Sequence, residues 1–331
     1  MTTQTTTQTT TRTTTQTRSL SLLTPSGRLT LGSYLGALRP MTQRQDDAFY
    51  GISDLHAMTT EHDPRLLREY ADETAILFLA VGLDRATLFR QSHVPAHAQL
   101  AYLLECVATT GELNRMIQFK EKGRGVDSTR VSLFTYPALM AADILLYRPA
   151  QVPVGADQKQ HVELTRDLAM RFNRRYGEVF TVPEVVTASD ATARVMDLLH
   201  PDRKMSKSAD EAGSIYLLDP ADVVRKKVAR AVTDSDTGPD AVRRSPDKPG
   251  VTNLLDILEA LGGSAEGIDT YGALKRAVTD AVVATLEPIQ KRYADLAADA
   301  VHVTQVYADG AARCREVTAP VLAAATTAIG L

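Results

Sequence analysis

Short apolar runs that alternate with helical segments constrain the fold of this chain more than any other feature. Ser19–Leu23 is such a run; Pro25-Ser26-Gly27 then forms a turn, and helical periodicity follows over 29–38. Further apolar runs occur at 49–53, 86–91 and 151–154, and helical patterns occur at 64–83, 98–119, 139–147 and 158–176. Because strands joined by helices usually pair in parallel, the pattern predicts an α/β domain around a largely parallel sheet.

The C-terminal part of the chain has a different character. From about residue 221, and beyond a stretch rich in Pro and Gly between Gly238 and Gly250, helical periodicity covers 251–261, 271–298 and 301–329. The sequence therefore predicts an all-helical unit after the α/β domain. We place the α/β domain at 19–203 and the helical unit, with the polar loop that precedes it, at 204–331.

The first 18 residues consist mostly of Thr and Gln, with two arginines and no acidic residue. They contain no apolar segment, so we expect no secretory signal; a transit peptide is the alternative to a disordered low-complexity tail, which we favour. The chain has no apolar run of the ~20 residues that a membrane span needs. We expect a cytoplasmic protein without a membrane partner.

Composition argues against a structural metal or a disulfide framework. Cys106 and Cys314 are too few and too far apart for either. His93 and His97 have the spacing of a helical zinc pair, but Pro95 between them disfavours a helix, so we interpret both as structural. The net charge of −3 gives no indication of a nucleic-acid partner, although one basic face could still bind phosphate.

The most specific motif is Lys204-Met205-Ser206-Lys207-Ser208. Two lysines with small hydroxyl residues near them can form a mobile cationic loop that neutralises charge on a leaving pyrophosphate. A generic pair of lysines would more often be a solvated turn. This pentapeptide, however, is identical to the KMSKS signature of the class I aminoacyl-tRNA synthetases, and it resembles that family in standing between an α/β part and a helical part.

A second motif follows the first predicted strand, over residues 25–33. A helix that begins here would offer free backbone N–H groups to a nucleotide phosphate, and Gly32 would allow close approach of the nucleoside. The segment resembles the HIGH motif in the form that tryptophanyl-tRNA synthetases have, with Thr30 in the place of its first His.

The third constellation concerns the amino acid. Helical spacing places Tyr136, Met140 and Asp143 on one face of an apolar segment. A carboxylate there is costly to bury without a donor, and an indole offers a single N–H donor and no acceptor. Such a site would reject phenylalanine, which leaves the acceptor unpaired. From this helix alone, Asp143 could equally cap a neighbouring helix or pair with an arginine.

The resemblance to bacterial tryptophanyl-tRNA synthetases is nearly continuous from the first turn to the C-terminal helices. Its blocks are 54–57 (DLHA), 91–97 (QSHVPAH), 111–116 (GELNRM), 118–122 (QFKEK), 154–161 (VGADQKQH) and 231–235 (AVTDS). It implies a Rossmann-type catalytic domain that carries helical dimer-interface elements, a homodimer, and a helical domain that reads the tRNA anticodon. It also implies L-tryptophan, ATP with Mg²⁺ and tRNA(Trp) as partners, and no structural metal.

The same resemblance assigns the site residues. Asp143 matches the residue that binds the indole nitrogen, and the other residues around the amino acid would be Tyr136, Met140, Gln158, His56, Val152, Val154 and Leu22. ATP contacts would be Thr24, Pro25, Ser26, Thr30, Gly32, Ser33, Gly155, Ala156, Asp157, Val195, Lys204, Met205, Ser206, Lys207 and Ser208. Lys204, Lys207 and Lys122 would act catalytically on the phosphates.

Four positions depart from the family pattern: Leu22 replaces a glycine, Thr24 a glutamine, Ser33 an asparagine and Ala156 an acidic residue. The change at Leu22 suggests a second-copy enzyme that tolerates tryptophan-like inhibitors, with neutral drift as the alternative. Two other functions are alternatives to a tryptophanyl-tRNA synthetase. A tyrosyl-tRNA synthetase would offer a partner for the tyrosine hydroxyl near the first strand, where Leu22 and Leu23 stand. A non-catalytic paralogue is disfavoured by the intact KMSKS motif.

Overall fold

Parallel strands form the sheet of the α/β part. The computed structural model describes residues 18–122, 128–149, 151–154, 158–187, 195–206, 212–238 and 240–331. The strands are β1 (Ser19–Leu23), β2 (Ala48–Ile52), β3 (Thr87–Arg90), β4 (Gln151–Val154) and β5 (Glu184–Thr187). One parallel sheet has the order β1-β2-β3, and β4 pairs in parallel with β5. The predicted parallel α/β arrangement is confirmed.

The two sheets meet where β1 lies beside β4. Leu20 of β1 packs there against an apolar cluster that includes Val152 of β4. Read across both sheets, the strands have the order 3-2-1-4-5, which is the order of a Rossmann fold. Chain connections leave the sheet in opposite directions on the two sides of this junction. Ligands of such folds bind at the carboxyl ends of the strands beside this reversal, so the topology predicts a ligand site at the end of β1.

Helices account for the rest of the described secondary structure. In the α/β part they are α1 (Leu31–Ser33), a π-helical turn (Tyr34–Leu38), α2 (Arg39–Thr42), α3 (Asp54–Ala57), α4 (Pro64–Ala80), α5 (Ala96–Glu105), α6 (Thr110–Leu113), α7 (Ile117–Lys122), α8 (Val131–Tyr147) and α9 (Lys159–Tyr176). In the C-terminal part they are α10 (Ala221–Ala229), α11 (Pro249–Ala260), α12 (Tyr271–Ala298) and α13 (Ala300–Ile329). Within the described residues no helix is both long and apolar enough to cross a bilayer.

Two helix predictions differ from the structure. The segment 98–119 is not one helix, because α5 ends at Glu105 and a capping box formed by Thr109 and Glu112 starts α6. Helix α8 begins at Val131 rather than at 139 and keeps Pro137 in its interior. Strand β5 was not predicted at all. The predicted C-terminal helices are confirmed.

The C-terminal helices pack directly on the sheet. Gly310 of α13 lies against the backbone of β3, where a Cβ atom would overlap the carbonyl oxygen of Leu88, so only glycine allows this approach. Helix α12 packs on α4, and buried side chains of β1, β2, α4, α11 and α12 belong to one apolar core. The core therefore joins the helical part to the α/β part.

Candidate active site

A cavity of about 660 Å³ opens at the junction of β1 and β4. It is larger than the groove of about 500 Å³ between α4 and α13. Side chains from β1, α3, α8, β4 and the start of α9 line it. Of the residues that the sequence analysis nominated, it brings together Leu22, Thr24, Ser26, His56, Tyr136, Met140, Asp143, Val152 and Gln158. The position agrees with the general location of ligand sites in open parallel sheets.

Asp143 is the buried charged group of this cavity. The residue is 4% exposed, and its carboxylate accepts hydrogen bonds from His56 Nε2 at 2.8 Å, His97 Nδ1 at 2.6 Å and Gln91 Nε2 at 2.7 Å. Burial opposes ionisation, but the hydrogen bonds from His56 and His97 outweigh it and lower the pKa of Asp143 to about 2. Asp143 is therefore an ionised acceptor whose described partners are neither an arginine nor a helix N terminus.

Three residues of this network were missed as functional candidates. Gln91 and His97 are fully buried, and the Tyr147 hydroxyl lies 3.0 Å from His97 Nε2. The sequence gives His93 and His97 the same structural interpretation, whereas the structure separates them: His93 is exposed, and His97 contacts the carboxylate of Asp143. A usable signal was present, because Gln91 ends a predicted strand and His97 follows soon after it, at the carboxyl end where ligands of parallel sheets bind.

Tyr136 occupies the neighbouring part of the cavity wall. Its hydroxyl lies 2.6 Å from Nε2 of His161 on α9. Burial raises the pKa of Tyr136 to about 12, so the phenol stays protonated at neutral pH. Met140 lies one helical turn further along α8 and packs against an apolar group of Ile144, Val152 and Val162. This wall thus combines apolar surface with a protonated hydroxyl.

The turn after β1 continues the cavity toward α1. The hydroxyls of Thr24 and Ser53 lie 3.0 Å apart, and Ser26 N donates to Thr24 O at 2.9 Å. Thr30 caps α1 and forms a capping box with Ser33, in which the Thr30 hydroxyl accepts from Ser33 N. Pro25 is buried in the turn.

The segment that carries Lys204 lies against α1, which follows this turn. A Cβ atom at Gly32 would be 3.6 Å from both Cβ and the carbonyl oxygen of Met205, so the two motifs are in contact. Met205 N donates to Val195 O at 3.0 Å, and Lys204 forms an antiparallel bridge with Met196. Val195 thus supports the backbone of the motif, while the Lys204 side chain is exposed.

Ser206 is half-buried, and several other nominated residues are not described at side-chain level. Gly155, Ala156, Asp157, Lys207 and Ser208 lie outside the described residues, and only the backbone of Lys122 and Val154 is described. Leu22, the largest departure from the family pattern, lines the cavity and is half-buried. Its register partner in β2 is Gly51.

Comparison with known proteins gives a consistent result for sequence and structure. Residues 12–295 match the family model described as tRNA synthetases class I (W and Y). The chain is 52% identical over 330 aligned residues to tryptophan–tRNA ligase 1 of Streptomyces avermitilis, with 95% of this chain and 98% of that protein covered. The crystal structure of tryptophanyl-tRNA synthetase from Mycoplasma pneumoniae matches with a TM-score of 0.84 at 38% identity, covering 95% of this chain and 98% of that one. The enzyme from Campylobacter jejuni, complexed with ADP and tryptophan, matches with a TM-score of 0.82 at 31% identity, covering 95% and 100%.

Proposed function

This chain belongs to the class I tRNA synthetases of the tryptophan and tyrosine family, and we propose that it acts as a tryptophan–tRNA ligase. The reaction joins L-tryptophan to ATP, giving tryptophanyl-adenylate and pyrophosphate, and then transfers tryptophan to a terminal ribose hydroxyl of tRNA(Trp). The observation that carries the proposal is Asp143, an ionised acceptor at the wall of a largely apolar cavity. An indole fits this wall because it buries an aromatic surface and donates one hydrogen bond.

We propose that the other cavity residues divide into two groups. Tyr136, Met140, Gln158, His56, Val152, Val154 and Leu22 surround the amino acid. Thr24, Pro25, Ser26, Thr30, Gly32, Ser33, Gly155, Ala156, Asp157, Val195 and the KMSKS residues take the nucleotide. The contact between Gly32 and Met205 supports this division, because it brings the two nucleotide motifs together beside the tryptophan cavity.

The chemistry needs no protein nucleophile. The tryptophan carboxylate attacks the α-phosphate in line with the leaving pyrophosphate, and the protein contributes orientation and positive charge. Lys204, Lys207 and Lys122 are the cations that we assign to the phosphates. Magnesium enters as part of the nucleotide substrate, where it shares the neutralisation of phosphate charge.

The assembly and the domain roles are further parts of the proposal. We propose a cytoplasmic homodimer whose region 204–331 reads the anticodon. Tyr102, Ile117 and Val131, on α5, α7 and α8, are strongly exposed apolar residues and support a subunit interface on these helices. Light scattering during gel filtration would give the mass of two chains if the homodimer forms.

Pyrophosphate exchange with each amino acid in turn tests the function. We expect exchange with tryptophan and very little with tyrosine or phenylalanine. Exchange with tyrosine alone would support the tyrosyl-tRNA synthetase alternative, and no exchange with any amino acid would support a non-catalytic paralogue. Aminoacylation of tRNA(Trp) transcripts would then test the second step.

Leu22 leads to a prediction about inhibitors. Its side chain projects into the cavity wall where the family pattern has glycine, so a tryptophan-like inhibitor with bulk on that face meets steric repulsion. In the series Leu22→Val, Leu22→Ala and Leu22→Gly, we expect the inhibition constant to fall with side-chain volume, by about tenfold at glycine for a loss of roughly 1.4 kcal/mol of repulsion.

The Michaelis constant for tryptophan, measured on the same variants, is the control for this series, and it should change much less. A glycine variant that is no more sensitive than the parent would make Leu22 a packing change and would remove the support for an inhibitor-tolerant second copy.

A further inference from the structure

The carboxylate of Asp143 has a cavity side and a buried side. His56 lines the cavity and reaches Oδ2, and its side chain is 14% exposed. His97 and Gln91 are fully buried and both reach Oδ1, at 2.6 Å and 2.7 Å. Oδ1 is held only by these two fully buried donors, whereas Oδ2 is the oxygen bonded by the cavity-lining His56, with Gln91 Nε2 as a longer second contact at 2.9 Å. Oδ2 is therefore the oxygen on the cavity side.

The ring of His97 lies between Asp143 and Tyr147, two residues one turn apart on α8. Because Asp143 is ionised, it can only accept, so His97 Nδ1 must carry the proton in their hydrogen bond. The other ring nitrogen, Nε2, lies 3.0 Å from the Tyr147 hydroxyl, so the ring is held at both of its nitrogens. Burial strongly raises the pKa of Tyr147, which keeps this hydroxyl protonated.

Gln91 shows that the network is organised around the carboxylate. Its Nε2 donates to both oxygens of Asp143, at 2.7 Å and 2.9 Å. Its Oε1 is buried without a hydrogen-bond partner among the described residues. An unpaired buried acceptor costs free energy, so this orientation is sustained by the bond to the charged group rather than by the needs of the amide.

We propose that His97, held by Tyr147, is a positioning residue that fixes Asp143 so that Oδ2 reads the indole N–H of tryptophan. This inference rests on the proposed function. His97 does not contact the ligand. It prevents rotation of the carboxylate and leaves a single oxygen directed at the cavity, which converts a buried charge into a specific acceptor.

Two substitutions at His97 separate its two hydrogen bonds. In His97→Asn the side-chain amide takes the place of Nδ1, so the donor to Asp143 is retained and the contact to Tyr147 is lost. In His97→Gln the amide takes the place of Nε2, so the contact to Tyr147 is retained and the donor to Asp143 is lost. A merely structural histidine would give no reason for these two variants to differ in substrate recognition.

The readout is the ratio of kcat/KM for tryptophan to kcat/KM for its benzothiophene analogue, in which sulfur replaces the indole N–H. The native protein should prefer tryptophan by about tenfold to hundredfold, because the analogue cannot donate the hydrogen bond that the indole N–H makes to the charged carboxylate. We expect His97→Gln to reduce this ratio at least fivefold, and His97→Asn, which keeps the donor to Asp143 but loses the contact to Tyr147, to reduce it by about twofold to threefold. Tyr147→Phe, which frees the ring of His97, should give an intermediate ratio.

Tyr307→Phe is the matched control. Tyr307 is also buried, and its hydroxyl donates to the carbonyl of Ala75 at 3.1 Å, so this variant loses a buried hydroxyl whose bond is not one of those that hold Asp143. Its ratio should equal the native one even if its melting temperature falls. Should His97→Gln fail to fold, the comparison of Tyr147→Phe with Tyr307→Phe carries the test.

Equal losses on both substrates in His97→Gln or Tyr147→Phe, with the ratio unchanged, would overturn the proposal. A native protein that activates tryptophan and the analogue equally would also overturn it and would leave the proposed function in place. A native protein that activates neither substrate would instead contradict the proposed function.

Discussion

Replacing Lys204 by alanine is expected to lower the single-turnover rate of adenylate formation by about a hundredfold. Charge accumulates on the pyrophosphate as it leaves, and loss of one preorganised cationic donor at such a centre costs roughly 10²–10³ in rate. Lys204 directly precedes Met205, which lies against Gly32 of α1. The side chain of Lys204 is exposed. Lys207→Ala should act in the same direction.

Tryptophan binding in the absence of ATP separates catalysis from binding in this experiment. We expect the dissociation constant for tryptophan to change little in Lys204→Ala, because the interaction is made in the transition state. Lys226→Ala is the control: Lys226 is an exposed lysine paired with Asp222 on α10. Unchanged single-turnover rates in both KMSKS variants would reduce this loop to a solvated turn.

Removing the carboxylate of Asp143 is expected to raise the Michaelis constant for tryptophan by about tenfold or more, since a lost polar pair with a charged group is worth roughly 1.5–3 kcal/mol. The preference for tryptophan over phenylalanine should decrease as well, while the Michaelis constant for ATP changes little.

Asp143→Ala also leaves the donors of His56, His97 and Gln91 without their acceptor, so it should lower stability. Asn173→Ala, at a buried amide that bonds the backbone of Phe180, controls for that loss. Unaltered tryptophan kinetics in a folded Asp143→Ala protein would return this residue to a structural role.

The charge of Asp143 also predicts a pH dependence. Its pKa is lowered in the folded protein from 3.8 to about 2, so the stability that it contributes is fully present above about pH 4 and is lost as the pH falls toward 2. Tryptophan affinity should therefore show no step from this carboxyl between pH 5 and 8. Titration of Asp143→Asn alongside the native protein, by thermal unfolding and by tryptophan binding, would measure both effects.

Local patterns of the sequence determined much of the fold. The period of apolar residues located β1, β2, β3 and β4 and the C-terminal helices, because strand and helix periodicities are properties of neighbouring residues. The same local geometry placed Tyr136, Met140 and Asp143 on one face of α8, and all three line the cavity. The KMSKS pentapeptide and the blocks around it were sufficient to indicate the family that the comparisons gave.

Contacts between distant parts of the chain were decided only by the tertiary structure. Asp143 meets Gln91, His97 and His56 across separations of 52, 46 and 87 residues, and no periodicity relates such positions. Hence the sequence could nominate Asp143 but could not tell whether an arginine, a helix end or a ligand would satisfy it. The approach of Met205 to Gly32 and the pairing of β5 with β4 are of the same kind. Packing brings these partners together, because the free energy of burying a polar group depends on which neighbours the whole fold delivers to it.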